Sequence, residues 1–384
     1  MAVLRLGILF SCSGDYAALG RDCRDGAKLA IAEWQSEGRR DVTIEPVFGD
    51  PGGSGGSYIE IARHMAVDRG CRHIIGTVTS QARKDVIPVV EKHDAQLWYV
   101  CPYEGFEANR NVIYTGACPN QHLLPLFQHL LPTFGDRVFL AGANYVWGWE
   151  MNRLAREIVV EAGGEIVGER CLPIAEREVD QLVAAVAAAR PSFVLSNLLG
   201  PSSHAFLRAM RDLAERDPAF SPERCPVVSC DLTECELPEI GLGVADGQLA
   251  AAAYFDSVES AENRALQARV AARFGAGRRI SSYFATSYAT VRLCAEAVAL
   301  SGDADPAKVR PALADLRAPA GVLGPLRIDP STHHAGLPFY LGRIAGDRLE
   351  ILQSRTSAAA DPYLTARRPV TPPQAVRPRL RIVS

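Results

Sequence analysis

Short, continuously apolar runs alternate with segments whose apolar residues recur at helical spacing, and the pattern covers most of the chain. Arg5–Phe10 is one such run. Arg21–Gln35 follows it, with Ala27, Leu29, Ala30, Ile31 and Trp34 along one helical face. Val42–Phe48 then reads as a strand, Ser57–Arg69 as a helix, Arg72–Ile75 as a strand, Ser80–His93 as a helix and Gln96–Val100 as a strand. Strands that are apolar on both faces need cover on both faces. Helical crossovers between parallel strands supply it, so the pattern specifies a doubly wound parallel sheet.

The alternation restarts after a short strand at Asn111–Tyr114 and the Pro-punctuated stretch Thr115–Asn120. Helices are predicted at Gln121–Phe134, Trp149–Ala162, Glu178–Ala189 and Ser202–Arg216. Strands are predicted at Arg137–Ala141, Glu165–Leu172, Phe193–Ser196, Pro226–Ser229 and Leu249–Phe255. Helices at Ser260–Phe274, Ser282–Ser301 and Pro306–Leu316 come next, then short strands at Val322–Ile328, Pro338–Ile344 and Arg348–Gln353. The last twenty residues, with Arg367, Arg368, Pro372, Pro373 and Pro378, read as a frayed or draped tail. A chain of 384 residues exceeds one simple core, and the two layer sets divide it into two α/β domains.

Composition narrows the function classes. Hydrophobic residues make up 48% and charged residues 22%, as in ordinary globular proteins. A net charge of −3 without a basic cluster argues against direct nucleic-acid binding. No apolar run approaches the ~18 residues that span a bilayer. The N-terminus, Met1 to Phe10, has no basic n-region or cleavage site and reads as a first strand. A complete chain of this kind is expected in the cytoplasm, a trimmed one in the periplasm. The ten cysteines form no CxxC pair and read as mostly reduced, buried residues. Cys225, Cys230 and Cys235 match no zinc spacing, so neither metal nor cofactor is expected.

In open α/β sheets ligands bind beyond the carboxyl ends of the strands, and with two domains the crevice between them is the natural site. The windows after strand ends are therefore the ones to read: Phe10–Gly14, Gly49–Gly53, Gly76–Ser80, Tyr99–Glu107, Gly142–Trp149, Asn197–Ser203, Ser229–Glu234 and Tyr254–Asp256. At Gly76–Lys84 a strand runs into a helix that starts near Ser80. Free amides and the positive end of the helix dipole there can hold a carbonyl oxygen or a carboxylate, with Val78, Thr79 and Ser80 around it. Equally, Thr79 or Ser80 can simply cap the helix. Tyr99, Cys101, Pro102 and Tyr103 sit in an aromatic, turn-rich strand end that can wall a pocket or pack beneath a loop. Tyr145, Trp147 and Trp149 place three rings in five residues, more than one helix face can bury, so at least one is expected to face a crevice. The Gly-rich run Asp50–Gly56 lacks the Lys of a phosphate loop and the spacing of a dinucleotide fingerprint, and reads as a turn before a helix. Catalytic machinery does not assemble. There is no Gly-x-Ser-x-Gly elbow, His333 and His334 lie in a turn-like segment, and Cys101 has no neighbouring His in sequence.

At these corners the chain resembles the type I periplasmic-binding-protein fold, in its branch of short-chain amide and urea receptors, which includes amide-sensing negative regulators. The residues that carry the resemblance are Asp50-Pro51-Gly52-Gly53, Ser80 with Arg83-Lys84, Val86 to Glu91, and Pro102 to Glu107. Pro119-Asn120-Gln121, Tyr145 with Glu150 and Asn152, Gly324-Pro325 and Asp361-Pro362-Tyr363 follow in the same order. The resemblance implies two lobes that close on a small neutral or zwitterionic ligand. They would be residues 1–117 with 254–324 and residues 118–253 with 325–384. Crossovers would fall near Gly116–Asn120, Ala251–Phe255 and Gly324–Arg327. It implies that Ser80 hydrogen-bonds a ligand carbonyl, that Tyr99, Cys101 and Tyr145 line the cleft, and that Trp147 closes it. Val78 and Trp147 stand where amide-sensing members carry tyrosine, Cys101 where they carry threonine, and Asp231 in a corner that is hydroxyl-lined in them. A carboxylate at Asp231 suits an amide NH2 or an ammonium group. Two functions are implied. One is a ligand-sensing negative regulator that sequesters an RNA-binding antiterminator. The other is the substrate-binding component of an amide, urea or branched-chain amino-acid ABC transporter, with a membrane permease as partner. Helices such as Asp85–His93 offer a face for a homodimer.

Overall fold

The computed structural model describes residues 2–38, 41–316, 321–367 and 370. The chain folds into two α/β lobes. The first lobe contains strands β1 (Ala2–Leu9), β2 (Val42–Gly49), β3 (His73–Gly76), β4 (Gln96–Tyr99) and β5 (Val112–Tyr114). They form one sheet in the order β2-β1-β3-β4-β5, parallel throughout. Helices α1 (Ala17–Ser36), α2 (Gly55–Val67) and α3 (Ser80–Lys92) connect the first four strands. The chain steps from β1 outward to β2 and then back across β1 to β3. Right-handed crossovers therefore put α1 on one face of the sheet and α2 and α3 on the other. The direction of winding reverses between β1 and β3, which opens a crevice at their carboxyl ends.

The second lobe repeats this plan. It contains α4 (Leu123–Phe134), β6 (Arg137–Ala143), α5 (Val146–Glu161), β7 (Glu165–Leu172), α6 (Asp180–Ala189), β8 (Phe193–Asn197), α7 (Gly200–Arg216), β9 (Val227–Ser229), α8 (Leu237–Ile240) and β10 (Leu249–Ala252). The winding reverses between β6 and β8, so the corners after these two strands face the first lobe's crevice. At both corners a glycine lets the helix lie on the strand it follows. A methyl group at Gly20 would sit 1.7 Å from the Ser11 carbonyl oxygen, and one at Gly148 2.0 Å from that of Ala143.

After β10 the chain returns to the first lobe. There α9 (Ala261–Phe274), α10 (Ser282–Ser301) and α11 (Pro306–Asp315) complete its cover, with α10 packed along α1. Strands β11 (Leu337–Ala345) and β12 (Arg348–Ala358) then extend the second sheet to the order β12-β11-β10-β9-β8-β6-β7. This edge is antiparallel, because a tight turn through Gly346 at φ 64° can only return the chain beside itself.

One expectation from the sequence changes. Val322–Ile328 is not a strand. Gly324, at φ 74°, folds the segment into a turn closed by its amide on the Gly321 carbonyl at 2.8 Å, and only isolated bridges remain. Leu326, Ile328 and Ala335 still pack in the first lobe's core, and the Ala335 amide bonds the Tyr114 carbonyl. Leu337, the first residue of β11, packs in that same core. Most of the expected tail, and the end of the range 325–384, lie outside the described residues. Among the described residues, no helix is long and apolar enough to cross a membrane, and no group of His, Cys, Asp and Glu is placed to hold a metal.

Candidate ligand-binding site

The first-lobe wall is built on the start of α3. Thr79 is the cap: its backbone is extended and its hydroxyl accepts the Ala82 amide at 3.2 Å. Ser80 is thereby released from capping. Its hydroxyl donates to Glu104 Oε2 at 2.5 Å and accepts from Arg83 Nη1 at 3.2 Å. Arg83 has no exposed surface. It pairs with Glu104 at 2.8 Å and Glu107 at 2.9 Å and lies between the rings of Tyr99 and Tyr103, 4.7 Å from each centroid. Lys84 adds a contact to Glu107 at 2.9 Å. Burial alone would raise the Glu107 carboxyl; the charges and hydrogen bonds of Arg83 and Lys84 instead hold it down at about 2. The Tyr99 hydroxyl donates to the Val78 carbonyl at 3.3 Å, and the Cys101 thiol to that of Thr77 at 3.3 Å.

The second-lobe wall comes from the corners after β6 and β9. Tyr145 occupies the cap position of α5 in an extended conformation, and Trp147 lies in its first turn. Both are buried toward the first lobe, whereas Trp149 is 53% exposed, so one helix face does not bury all three rings. The Trp147 indole N–H has no hydrogen-bond partner among the described residues. Asp231 follows β9 in a turn where the Ser229 hydroxyl accepts the Asp231 amide at 3.1 Å and the Leu232 amide at 3.2 Å, and donates to the Asp231 carboxylate. Burial, with help from the charge of Glu236, pushes the Asp231 carboxyl up to about 8, and among the described residues no cation is paired with it. Tyr283, at the start of α10 in the first lobe, donates its hydroxyl across to the Asp231 carbonyl at 3.0 Å.

Between these two walls lies a cavity of about 20 Å³, lined by Leu19, Val78, Thr79, Ser80, Tyr99, Cys101, Pro102, Tyr145, Trp147, Leu199, Asp231 and Tyr283. A second cavity, also of about 20 Å³, shares Pro102, Asp231 and Tyr283 and reaches the crossovers at Gly116, His122 and Ala251–Ala253. The lobes are closed over both. Arg21 reaches Glu239 at 3.1 Å, Arg279 reaches Asp347 at 2.9 Å, and the Arg153 guanidinium lies 5.0 Å above the Phe106 ring.

Nine of the ten residues named from sequence meet here. Tyr103 does not. Its buried ring covers one face of Arg83 and stacks on Tyr114, and its hydroxyl finds Glu107 and His334 behind the wall. Leu19, Leu199, Tyr283 and His122 went unnamed. Leu199 falls within the strand-end window Asn197–Ser203, so the topological rule reached it. Tyr283 lies on a helix whose sequence says nothing about the other lobe. The Gly-rich run behaves as a turn: Asp50 accepts the Cys12 amide at 2.9 Å and the Gly52 amide at 3.0 Å, and Ser54 caps α2.

A family model described as a periplasmic binding protein domain matches residues 4–369. Among solved structures, a solute-binding protein of an ABC transporter from R. palustris in complex with 4-hydroxybenzoate superposes with a TM-score of 0.80 at 20% identity, over 92% of this chain and 97% of that one. An amino acid ABC transporter substrate-binding protein from Pseudomonas fluorescens gives 0.78 at 21%, over 94% and 98%. A branched-chain amino acid transporter substrate-binding protein from Streptococcus pneumoniae, in complex with isoleucine, gives 0.79 at 17%, over 93% and 99%. At such identities the likeness is one of fold.

Proposed function

The chain belongs to the periplasmic-binding-protein domain family, and from that premise we propose that it is a small-molecule receptor, the substrate-binding component of an ABC transporter, and not an enzyme. The observation that carries this reading is the closed space between the lobes. Both sheets end there at their winding reversals, and each contributes polar groups and rings to its walls. Closure on a ligand would make a shape that a permease can distinguish from the open form. On this reading the protein works on the outer side of the membrane that its permease spans, rather than in the cytoplasm.

The ligand is small, because the cavity next to Ser80 is about 20 Å³. Arg83, the buried cation nearest to it, is already committed to Glu104 and Glu107. Asp231, the carboxyl group on the lining, has no cation beside it among the described residues. With its carboxyl raised to about 8, Asp231 is largely protonated at neutral pH and can donate as well as accept, so the lining suits a small polar ligand, whether a short amide, a urea, an amino acid or a carboxylate.

A ligand bound only by the native state stabilises it, by about 2.7 kcal/mol at roughly 100 times its Kd. Thermal melts with short amides, urea, amino acids and hydroxybenzoates therefore test the reading, and no shift with any of the four classes would sink it. The negative-regulator reading is supported by the ordered resemblance of Pro102–Glu107, which here forms the scaffold behind Ser80. Co-purification of the chain with an RNA-binding antiterminator, released by the ligand, would favour it over the transporter reading.

A further inference from the structure

At the end of the first lobe opposite the cleft, three arginines meet at one cavity. The cleft lies at the carboxyl ends of the strands. Arg72, Asp94 and the pair Arg110-Asn111 lie at the other ends, just before β3, β4 and β5, which are neighbours in the sheet. The start of α11 packs beside them and brings Asp305, Pro306, Ala307 and, one turn on, Arg310. These residues line a cavity of about 260 Å³, against about 20 Å³ for each cavity between the lobes.

The charges on this lining are not balanced pair by pair. Arg72 donates Nε to the Asp94 carbonyl at 3.1 Å and stands 3.7 Å from the Asp305 carboxylate, which also caps α11 by accepting the Ala307 amide at 3.0 Å. Arg310 is half-buried and gives Nη1 to a neutral partner, Gln96 Oε1, at 3.1 Å. Burial, followed by the charge of Arg110, pushes the Arg310 guanidinium below its ordinary value, against the pull of Asp305 and Asp94. Arg110 is exposed, and among the described residues neither it nor Arg310 is in an ion pair. Two like charges held near one another at a cavity wall are relieved by an anion that bridges them, and guanidinium groups match the oxygens of a phosphate or sulfate. Asp94 and Asp305 oppose such an anion. Asp305 is already engaged by Arg72 and the helix amide; Asp94 has no ion pair among the described residues.

We propose that this cavity binds a small doubly charged oxyanion of the phosphate or sulfate class, bridged by Arg110 and Arg310, at a site separate from the cleft. It goes beyond the receptor reading and does not depend on it.

The test is thermal melting and calorimetric titration of the full chain with sodium phosphate and sodium sulfate, against sodium chloride at matched ionic strength. Phosphate or sulfate is expected to raise the melting temperature saturably beyond chloride. Arg110→Ser removes one side of the bridge from an exposed position and is expected to weaken the anion about tenfold or more. Asp94→Asn is expected to tighten it, and asparagine tolerates the φ of 48° found there. A rise that is linear in concentration and equal in Arg110→Ser is the general effect of excluded salts and would overturn the proposal. So would a response equal to that of chloride, or weaker binding in Asp94→Asn. The melting response to a cleft ligand is expected to be the same in Arg110→Ser as in the wild type, so failure of this site and failure of the receptor reading are seen separately.

Discussion

The two walls of the cleft are made in opposite ways. On the first-lobe wall every charged group has its partner: Arg83 between Glu104 and Glu107, Lys84 on Glu107, Ser80 on Glu104. On the second-lobe wall the polar groups are left open: Trp147 has an unpartnered N–H, and Asp231 is a buried carboxyl without a cation. A satisfied network is rigid, because moving any member leaves a buried charge alone. Open groups are costly to the empty protein and become useful when a ligand arrives. The first lobe is thus the fixed template, and the second is the lobe that gains most from closing on a ligand.

Removing the centre of the first wall should have the largest effect. Arg83→Met leaves Glu104 and Glu107 buried with only Lys84 nearby, and is expected to cost about 3–5 kcal/mol in urea unfolding. A loss below 1 kcal/mol (roughly the worth of an exposed pair) would mean that the wall is not a rigid template. Ser80→Ala takes the donor from Glu104 and should lower stability without ligand by ~1–3 kcal/mol. A variant that is as stable as the wild type would place Ser80 outside the scaffold.

The sequence showed the two layer sets and the strand-end windows, because apolar runs and helical spacing are local signals. The same windows contain Ser80, Tyr145, Trp147 and Asp231, which the fold brings to one cleft. The sequence did not show what Ser80 does. That depends on Glu104, which is remote in sequence and meets Ser80 only through the packing of the β4 loop against α3. Tyr103 packs behind the wall, against Arg83 and Tyr114, for a related reason. An aromatic residue at a strand end can face a ligand or a buried arginine, and residue type alone does not separate the two. Val322–Ile328 has strand composition, yet Gly324 at φ 74° turns it back on itself.

The second wall should reveal itself through pH. Burial raises the Asp231 and Glu234 carboxyls to about 8, far above their unfolded values near ~4. The folded state therefore binds more protons between those limits, and stability falls as pH rises through them. Below about 6.5 the opposing titration of His73, His122 and His334, each lowered to about 4 by burial, overlaps this slope. From pH ~6.5 to 8 the carboxyls act alone, with a loss on the order of 1–2 kcal/mol per group. Asp231→Asn should flatten that slope in thermal melts, whereas a slope unaltered by it would mean that Asp231 ionises freely. The smallest effect belongs to Trp149, two residues beyond Trp147 but exposed: Trp149→Ser should change stability by no more than about 0.5 kcal/mol.

The four tryptophans offer the most direct check of the cleft itself. Trp34 and Trp98 lie in the first lobe's core, Trp149 is exposed, and Trp147 lies in the cleft. Emission should change saturably as a short amide is titrated into the wild type and should stay flat in Trp147→Phe. A saturable change that persists in Trp147→Phe, or its absence in the wild type with every ligand class, would contradict a ligand held between Ser80 and Trp147.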